Sequence, residues 1–421
     1  MYAKYNAGLN GCFEDVNLDF TDVDSYLNKF NNKISVNVAY QIPHGAIRLE
    51  ALGFIDMPLK GYVLEKAKDL MRKGFEQGAV AFSTGLSYYP NSYSDTDELV
   101  ELCKVCVEYD APFVIHLRSV FKGKPFDPIE EAIEIARRSG VRLHFSHFRT
   151  NEKTCGKVTE LLAPIENAMK EGLNITMELY PYYVGSGYAM LYLPPWAVEG
   201  GYEETLKRLR NPLLRRRIID GMKVNSKTIV GTFTHLKKNE TYIGMDFEDV
   251  AKKRNQSVED MMCDILLEEN LEVGVRDNPT KDTKKRGQMD KDFVQFLSKP
   301  YYMVGSDSIP LGLKPHPRAF GTFPRFLILA KQYGLSYENF ANRVSFLPAK
   351  TFKLKNRGKI SEGYFADLVV FNPKNLKDNA TFQFPRRAPD GIEYVLVNGK
   401  IAIYKEKVTG IFSGQAIRRE N

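Results

Sequence analysis

The sequence predicts an α/β protein built on a β/α barrel, and three observations point there. Short apolar runs alternate with amphipathic helical patterns from about residue 35 onward, the rhythm of parallel βαβ units. His116, His147, Tyr180 and Asp307 fall at the C-terminal ends of different strand candidates, where barrels keep their reactive groups. No strand candidate runs into a glycine-rich dinucleotide fingerprint or a phosphate loop, which counts against an open nucleotide-binding sheet.

The strand candidates are "VNVAYQIP", "AVAFST", "PFVIHLR", "RLHFSH", "NITMELY" and "YYMVGSDS". Between them, "VLEKAKDLMRKGFEQG", "SDTDELVELCKVCVEYD" and "DPIEEAIEIARRSG" carry helix starts at Ser, Asp or Asp-Pro and stops at Gly. Residues 190–300 are less regular: "SKTIVGTF" predicts an extra strand and "FEDVAKKRNQSVEDMMCDILLEEN" two short helices. That stretch is expected to elaborate the barrel. From about residue 355 the texture changes to short strands with Gly turns, "GKISEGYFADLVVFNP" and "GIEYVLVNGKIAIYKEKVTG". The expected organisation is a barrel over 1–354 and a small β domain over 355–421.

Composition narrows the classes. A net charge of +7 over 421 residues is modest, and the basic stretches "RLRNPLLRRRIID" and "PTKDTKKRGQ" are local. Nucleic-acid binding needs a coherent basic face or a reading motif, and neither is present. No apolar run is long enough to span a membrane, and "MYAKYNAGLN" lacks the charged start and apolar block of a secretory signal, so a cytoplasmic protein is expected. Five scattered cysteines do not form a disulfide framework. Cys103 and Cys106, in "CKVC", match the apolar stripe of a helix and read as core thiols.

Each chemistry-bearing residue also has a plainer structural role open to it. Strand alternation in "RLHFSHFRT" groups His147 with Leu143, Phe145 and Arg149, and His144 with Arg142 and Ser146. Only one of the two histidines, His147, is therefore expected in the barrel. A lone strand histidine is ordinary structure more often than a ligand. His116, ending the neighbouring strand, changes that balance: two imidazoles at adjacent strand ends can share one ion, although a catalytic zinc usually has three protein ligands. Asp307 in "GSDS" is placed to carry a proton beside a metal site, and equally to cap the following loop. Arg318 and Arg149 can grip a carboxylate with their planar forks or serve as structural ion pairs. Arg318 shares a Pro-rich loop with His316, and a helix is expected to begin near Thr322. Tyr180, Tyr182 and Ser186 form a donor-rich turn at the barrel mouth. Glu178 points inward on the Tyr180 face, as a structural or a reactive carboxylate. His44 is expected to end a strand, and neither it nor His235 is assigned to metal.

Taken together, "GAVAFSTGLSYYPNSYSDTDELVELCKV", "VIHLRS", "SHFRT", "GSDS", "HPRAFGTFPRFL", "LPAKTFKLKNRGKISEGYFADLVVFNP" and "VLVNGK" resemble the N-acyl-D-amino-acid deacylase (D-aminoacylase) family of the amidohydrolase superfamily. The resemblance runs from about residue 35 to the end. It implies a metal-dependent hydrolase-type TIM barrel with a small β domain, hydrolysing a non-peptide amide C–N bond in a small-molecule substrate, an N-acyl-D-amino acid. It makes His116 and His147 zinc ligands, Asp307 the general acid/base, Tyr180 and Ser186 substrate contacts, and Arg318 the carboxylate clamp. Arg149 stands where Lys is frequent, and Glu178 where Asp is usual.

The family also opens with an HxH strand and a strand with a ligating Cys in an Asn-Cys-Gly context. This sequence contains no HxH, and Cys12 lacks that context. The resemblance thus implies an N-terminally incomplete barrel whose third ligand is missing and whose edge is covered by a missing segment or a partner chain. The alternative is a catalytically impaired or partner-dependent relative that retains the fold and the ligand pocket.

Overall fold

The β-branched and aromatic runs pair in the order in which they occur. In the computed structural model, which describes residues 2–11, 21–118, 127–222 and 231–419, strands β1 (Val38–Ala39) and β2 (Gln41–Pro43) come first. They are followed by β3 (Ala81–Gly85), β4 (Pro112–His116), β5 (Arg142–Phe145) and β6 (Ile175–Leu179). After β7 (Ser186–Tyr188), β8 (Gly231–His235) and β9 (Gly274–Asp277), strand β10 (Tyr302–Val304) returns to the main sheet. All pairs in that sheet are parallel, in the order β10-β6-β5-β4-β3-β2. Consecutive neighbours mark a β/α-barrel progression, whereas a doubly wound sheet reverses direction part-way. Among the described residues the sheet is an arc of six strands, with β2 and β10 at its edges.

Four helices, Tyr62–Glu76, Thr96–Glu108, Pro128–Ser139 and Val158–Lys170, alternate with β2 to β6. Asp95 and Asp127 cap two of them by accepting from the Glu98 and Ile129 backbone N–H groups, and Gly140 closes the helix that Asp127 opens in a left-handed turn. Their apolar stripes, among them Met71, Phe75, Leu99, Cys103, Cys106, Ile133 and Ile165, bury Phe82, Phe113, Leu143, Phe145 and Met177 on the outer face of the sheet. Cys103 and Cys106 are wholly buried there, as a core reading requires. The inner face is left to Ser83, Gly85, Val114, His116, His144 and Glu178, which line a cavity of about 470 Å³.

A second core gathers Tyr188, Phe233, Phe247, Met261, Ile265 and Val275 around the antiparallel sheet β7-β9-β8 and the helices Phe247–Arg254 and Val258–Glu268. The antiparallel strands β11 (Leu368–Phe371), β12 (Ile392–Val397), β13 (Lys400–Tyr404) and β14 (Lys407–Val408) form a separate sheet, and β15 (Ala416–Ile417) pairs with β1. Among the described residues no helix is long and apolar enough to cross a membrane.

Three local expectations are corrected. His44 does not end a strand: Pro43 does, and His44 opens the helix His44–Ala51. The helix expected near Thr322 begins at Arg318, because Pro317, with φ −61°, already holds the helical value and launches it. Ser186 lies on strand β7 rather than in a turn.

His44 belongs to a buried polar network at the base of this layer. Its Nε2–H donates to Glu98 Oε1 at 2.8 Å, and its Nδ1 accepts from the Thr84 hydroxyl at 2.8 Å. The other Glu98 oxygen accepts from Arg48 Nη1 and from the Leu59 backbone N–H. Burial alone would raise the Glu98 carboxyl, but the contacts from His44 and Arg48 outweigh it and hold the group ionised. Arg48→Met keeps the volume and strands that carboxylate. The expected loss in chemical denaturation is about 3–5 kcal/mol, the cost of breaking a buried pair from one side. A loss below about 1 kcal/mol would show the pair contributes nothing.

Candidate active site

The cavity is built where the parallel strands end. β4 finishes at His116, and its ring lies 4.9 Å from that of Tyr88, another cavity residue. β5 finishes at Phe145, and two residues later His147 adopts φ 38°, a left-handed conformation rare for so bulky a side chain. That turn brings His147 Nε2 to 2.8 Å from His116 Nδ1.

The expectation that alternation excludes His144 is overturned. Leu143 and Phe145 face the helices, so the inner face of β5 belongs to Arg142 and His144. His144 lines the same cavity as His147, its Nδ1 2.8 Å from the Thr176 hydroxyl and its ring edge-on to Phe352. His147 shares the parity of the outward residues and reaches the cavity only because the strand has already ended. Burial pushes the imidazoles of His116, His144 and His147 down to about 3, so all three are neutral.

Two carboxylates face this group. Glu178 is driven up to about 7, first by burial and then by the nearby charge of Asp307. Gly305 makes room for it: a Cβ there would lie 1.7 Å from Glu178 Oε2. Asp307, also left-handed at φ 46°, places Oδ2 2.9 Å from Arg318 Nη1. Burial raises the Asp307 carboxyl, against the opposing pull of Arg318 and His116.

Beyond Asp307 lies a cationic clamp. The Tyr180 hydroxyl accepts from Arg318 Nη1 at 2.8 Å and from Arg149 Nη2 at 3.0 Å, and donates to the Val184 carbonyl. Both guanidinium carbons stand over its ring, at 4.5 and 4.6 Å from the centroid. Arg318 is 1% exposed, yet its Nε and Nη2 have no partner. His316, buried and held neutral by that burial, accepts the Arg318 backbone N–H on Nδ1 and donates from Nε2 to the Val184 carbonyl.

Of the residues singled out in the sequence, His116, His147, Asp307 and Ser186 line the one cavity, with Arg318 on Asp307 and Arg149 on Tyr180. Tyr182 turns away to Asp378, His235 pairs with Glu272, and Cys12 lies outside the described residues. His44, Tyr88 and His144 are lining residues the sequence reading did not place there. The helix-facing character of Leu143 and Phe145 was the signal that could have found His144.

His116 and His147 fit two ligand positions of a divalent ion, being neutral and at one end of the cavity. Nitrogens sharing a tetrahedral zinc stand about 3.3 Å apart, so a small rotation from their mutual hydrogen bond is required. Among the described residues, no group of three or more His, Cys, Asp or Glu is arranged to hold a metal.

The chain is similar to known amide hydrolases. The profile of the Amidohydrolase family matches residues 297–403. A D-aminoacylase from Alcaligenes xylosoxydans xylosoxydans is 29% identical over 389 residues, covering 91% of this chain and 71% of that protein. A crystal structure of D-aminoacylase superposes with a TM-score of 0.74 at 26% identity, over 95% of this chain and 76% of the other. The N-acyl-D-glutamate deacylase of Bordetella bronchiseptica, solved with zinc and a phosphonate inhibitor, gives a TM-score of 0.79 at 25% identity, over 99% and 78%. Over most of its length the chain is similar to the D-aminoacylase family of the amidohydrolase superfamily. The fold it shares with these structures is a TIM-barrel type with a C-terminal β domain.

The neutral histidines of this cavity give stability a defined pH dependence. His144 titrates near 6.5 when exposed and near 3 when folded, so its contribution is complete above pH 6.5 and is lost as pH falls toward 3. His144→Gln keeps a polar group beside Thr176 and cannot be protonated. Its unfolding free energy should fall less steeply than the parent's between pH 6.5 and 4; an unchanged slope would show that His144 is not held neutral.

Proposed function

We propose that this chain hydrolyses an amide C–N bond, releasing the acyl group from N-acyl-D-amino acids with the help of a divalent metal, zinc in the first instance. The observation that carries the reading is the position of Asp307, with a carboxylate clamp on one side and a pair of neutral imidazoles on the other. The named relatives, D-aminoacylase and N-acyl-D-glutamate deacylase, support it.

In this mechanism Arg318, Arg149 and Tyr180 take the α-carboxylate. The unpartnered Nε and Nη2 of Arg318 supply donors in a plane matching the carboxylate, and the stacking on Tyr180 keeps the fork from swinging. Holding that end places the scissile amide over Asp307. Asp307 accepts a proton from the attacking water and hands it to the leaving nitrogen, a role suited to a carboxyl raised above its ordinary value. Ser186 lines the same space and contributes a polar contact to the substrate. His116 and His147 would hold two positions of the metal, whose chemistry when bound is Lewis-acid polarisation of the carbonyl. Glu178, packed against Gly305, lines the same cavity.

A second reading, a chain that retains the pocket without turnover, is favoured by the lack of a third ligand among the described residues. Steady-state hydrolysis of N-acetyl-D-amino acids by the zinc-supplemented chain separates the two. Under the first reading the chain releases acetate, and Asp307→Asn lowers kcat by about 10²–10⁴-fold, the usual worth of a positioned acid/base. No release from any N-acetyl-D-amino acid with added zinc, while such compounds still bind, would establish the second.

A further inference from the structure

We propose that residues 377–390 form a strap from the sheet β11-β12-β13-β14 to the barrel mouth, and that Arg386 on it is a positioning residue for Asp307. Its effect on rate rests on the amide-hydrolase reading; its anchoring of the loop that follows Asp307 does not.

That loop has little to hold it from within. Residues 308–317 run from Asp307 to the helix at Arg318 without a strand or helix of their own, while Ser308 and Ile309 line the cavity. An irregular segment keeps one conformation only where its backbone groups find partners outside it. On one side that partner is β8. A Cβ at Gly312, whose φ is 84°, would lie 2.1 Å from the Thr234 carbonyl oxygen, and the Lys314 backbone N–H donates to that oxygen at 3.4 Å. On the other side it is the strap.

Arg386 Nη2 donates to the carbonyls of Pro310 and Gly312, at 2.7 and 2.6 Å, and Lys314 Nζ returns a bond to the Gln383 carbonyl at 2.7 Å. One guanidinium nitrogen thus ties two loop carbonyls, and the loop ties back to the strap. At the far end of the loop, Phe382 packs edge-on against His316 at 5.2 Å, and His316 Nδ1 accepts the Arg318 backbone N–H at 3.1 Å. The strap is itself fastened. Its base is closed by the paired backbones of Lys377 and Asp390 and by Asn379 Nδ2 on the Ala388 carbonyl, its tip by a turn between Thr381 and Phe384, and Asp378 accepts from the Tyr182 hydroxyl at 3.3 Å. The loop is therefore held between the two residues the proposed mechanism uses most. Arg318 has a fixture of its own, stacked on Tyr180. Asp307, in a left-handed turn beyond the end of β10, has its contact with Arg318 and the loop that follows it. Loosening the strap should move Asp307 more than the clamp.

Arg386 is exposed, so Arg386→Met removes both bonds to the loop without opening the core. Native digestion of the full chain with thermolysin reads the anchoring. Leu313 is 62% exposed, and cleavage between Gly312 and Leu313, scored by mass spectrometry, should be about tenfold faster in Arg386→Met than in the parent, since cleavage follows local opening. Steady-state hydrolysis of N-acetyl-D-alanine by the zinc-supplemented chain reads the positioning. There kcat should fall about tenfold with KM within about threefold of the parent's, because a misplaced acid/base costs rate while an intact clamp keeps binding. Arg386→Lys, which keeps a cationic donor for the same carbonyls, should recover most of both. Calorimetric titration of N-acetyl-D-alanine into the metal-free chain should give parent and variants the same stoichiometry. A kcat loss matched by an equal fall in stoichiometry marks partial unfolding and overturns the positioning role. Unchanged cleavage in Arg386→Met overturns the strap. Faster cleavage with no turnover by the parent would remove the amide-hydrolase reading and leave the anchoring in place; parent turnover that Arg386→Met leaves intact would overturn the positioning role and leave that reading standing.

Discussion

Phe82, Phe113, Leu143, Phe145 and Met177 point away from the cavity and are clamped under four helices, and the inward placement of His116, His144 and Glu178 depends on that burial. A parallel strand has only two faces, so fixing one against the helices commits the other to the interior. A one-residue slip in β5 would exchange His144 for Leu143 in the cavity. The register is therefore defended by the burial of several aromatic and aliphatic side chains, and the polar residues inside are carried along by it. Their own contacts then refine positions that the core has already chosen.

The polar interior is stable because its charges are matched or suppressed. Three imidazoles stay neutral, Glu178 titrates near pH 7, and the ionised Glu98 is satisfied from several sides. The exception is the cluster of arginines near Tyr180, whose buried N–H groups outnumber their acceptors. An enzyme site commonly keeps such an imbalance for its ligand, since the substrate supplies the missing counter-charge and gains orientation in return. The left-handed backbones at His147 and Asp307 fit the same pattern of local strain at the point where chemistry is expected.

Much of this was legible in the sequence. The alternation of apolar runs and capped helices gave the parallel sheet, and the polar residues after "PFVI", "HFS" and "MVGS" marked the strand ends where His116, His147 and Asp307 do line one cavity. What failed was parity carried past the end of a strand. The period of two assigns faces only while the chain is extended, and His147 lies in a turn whose φ a sequence pattern does not announce. The same limit hid His44, which follows Pro43 into a helix, and the early start at Arg318, set by Pro317.

In the proposed function, the substrate carboxylate sits at Arg318 and the scissile amide near His116 and His147, with Asp307 between. A crystal structure of the Asp307→Asn chain soaked with an N-acetyl-D-amino acid tests it directly. The α-carboxylate is expected within hydrogen-bond distance of Arg318 Nη2 and Arg149, and the amide carbonyl directed toward His116 and His147. A ligand bound with its carboxylate at the histidine end, or outside this cavity altogether, would contradict it.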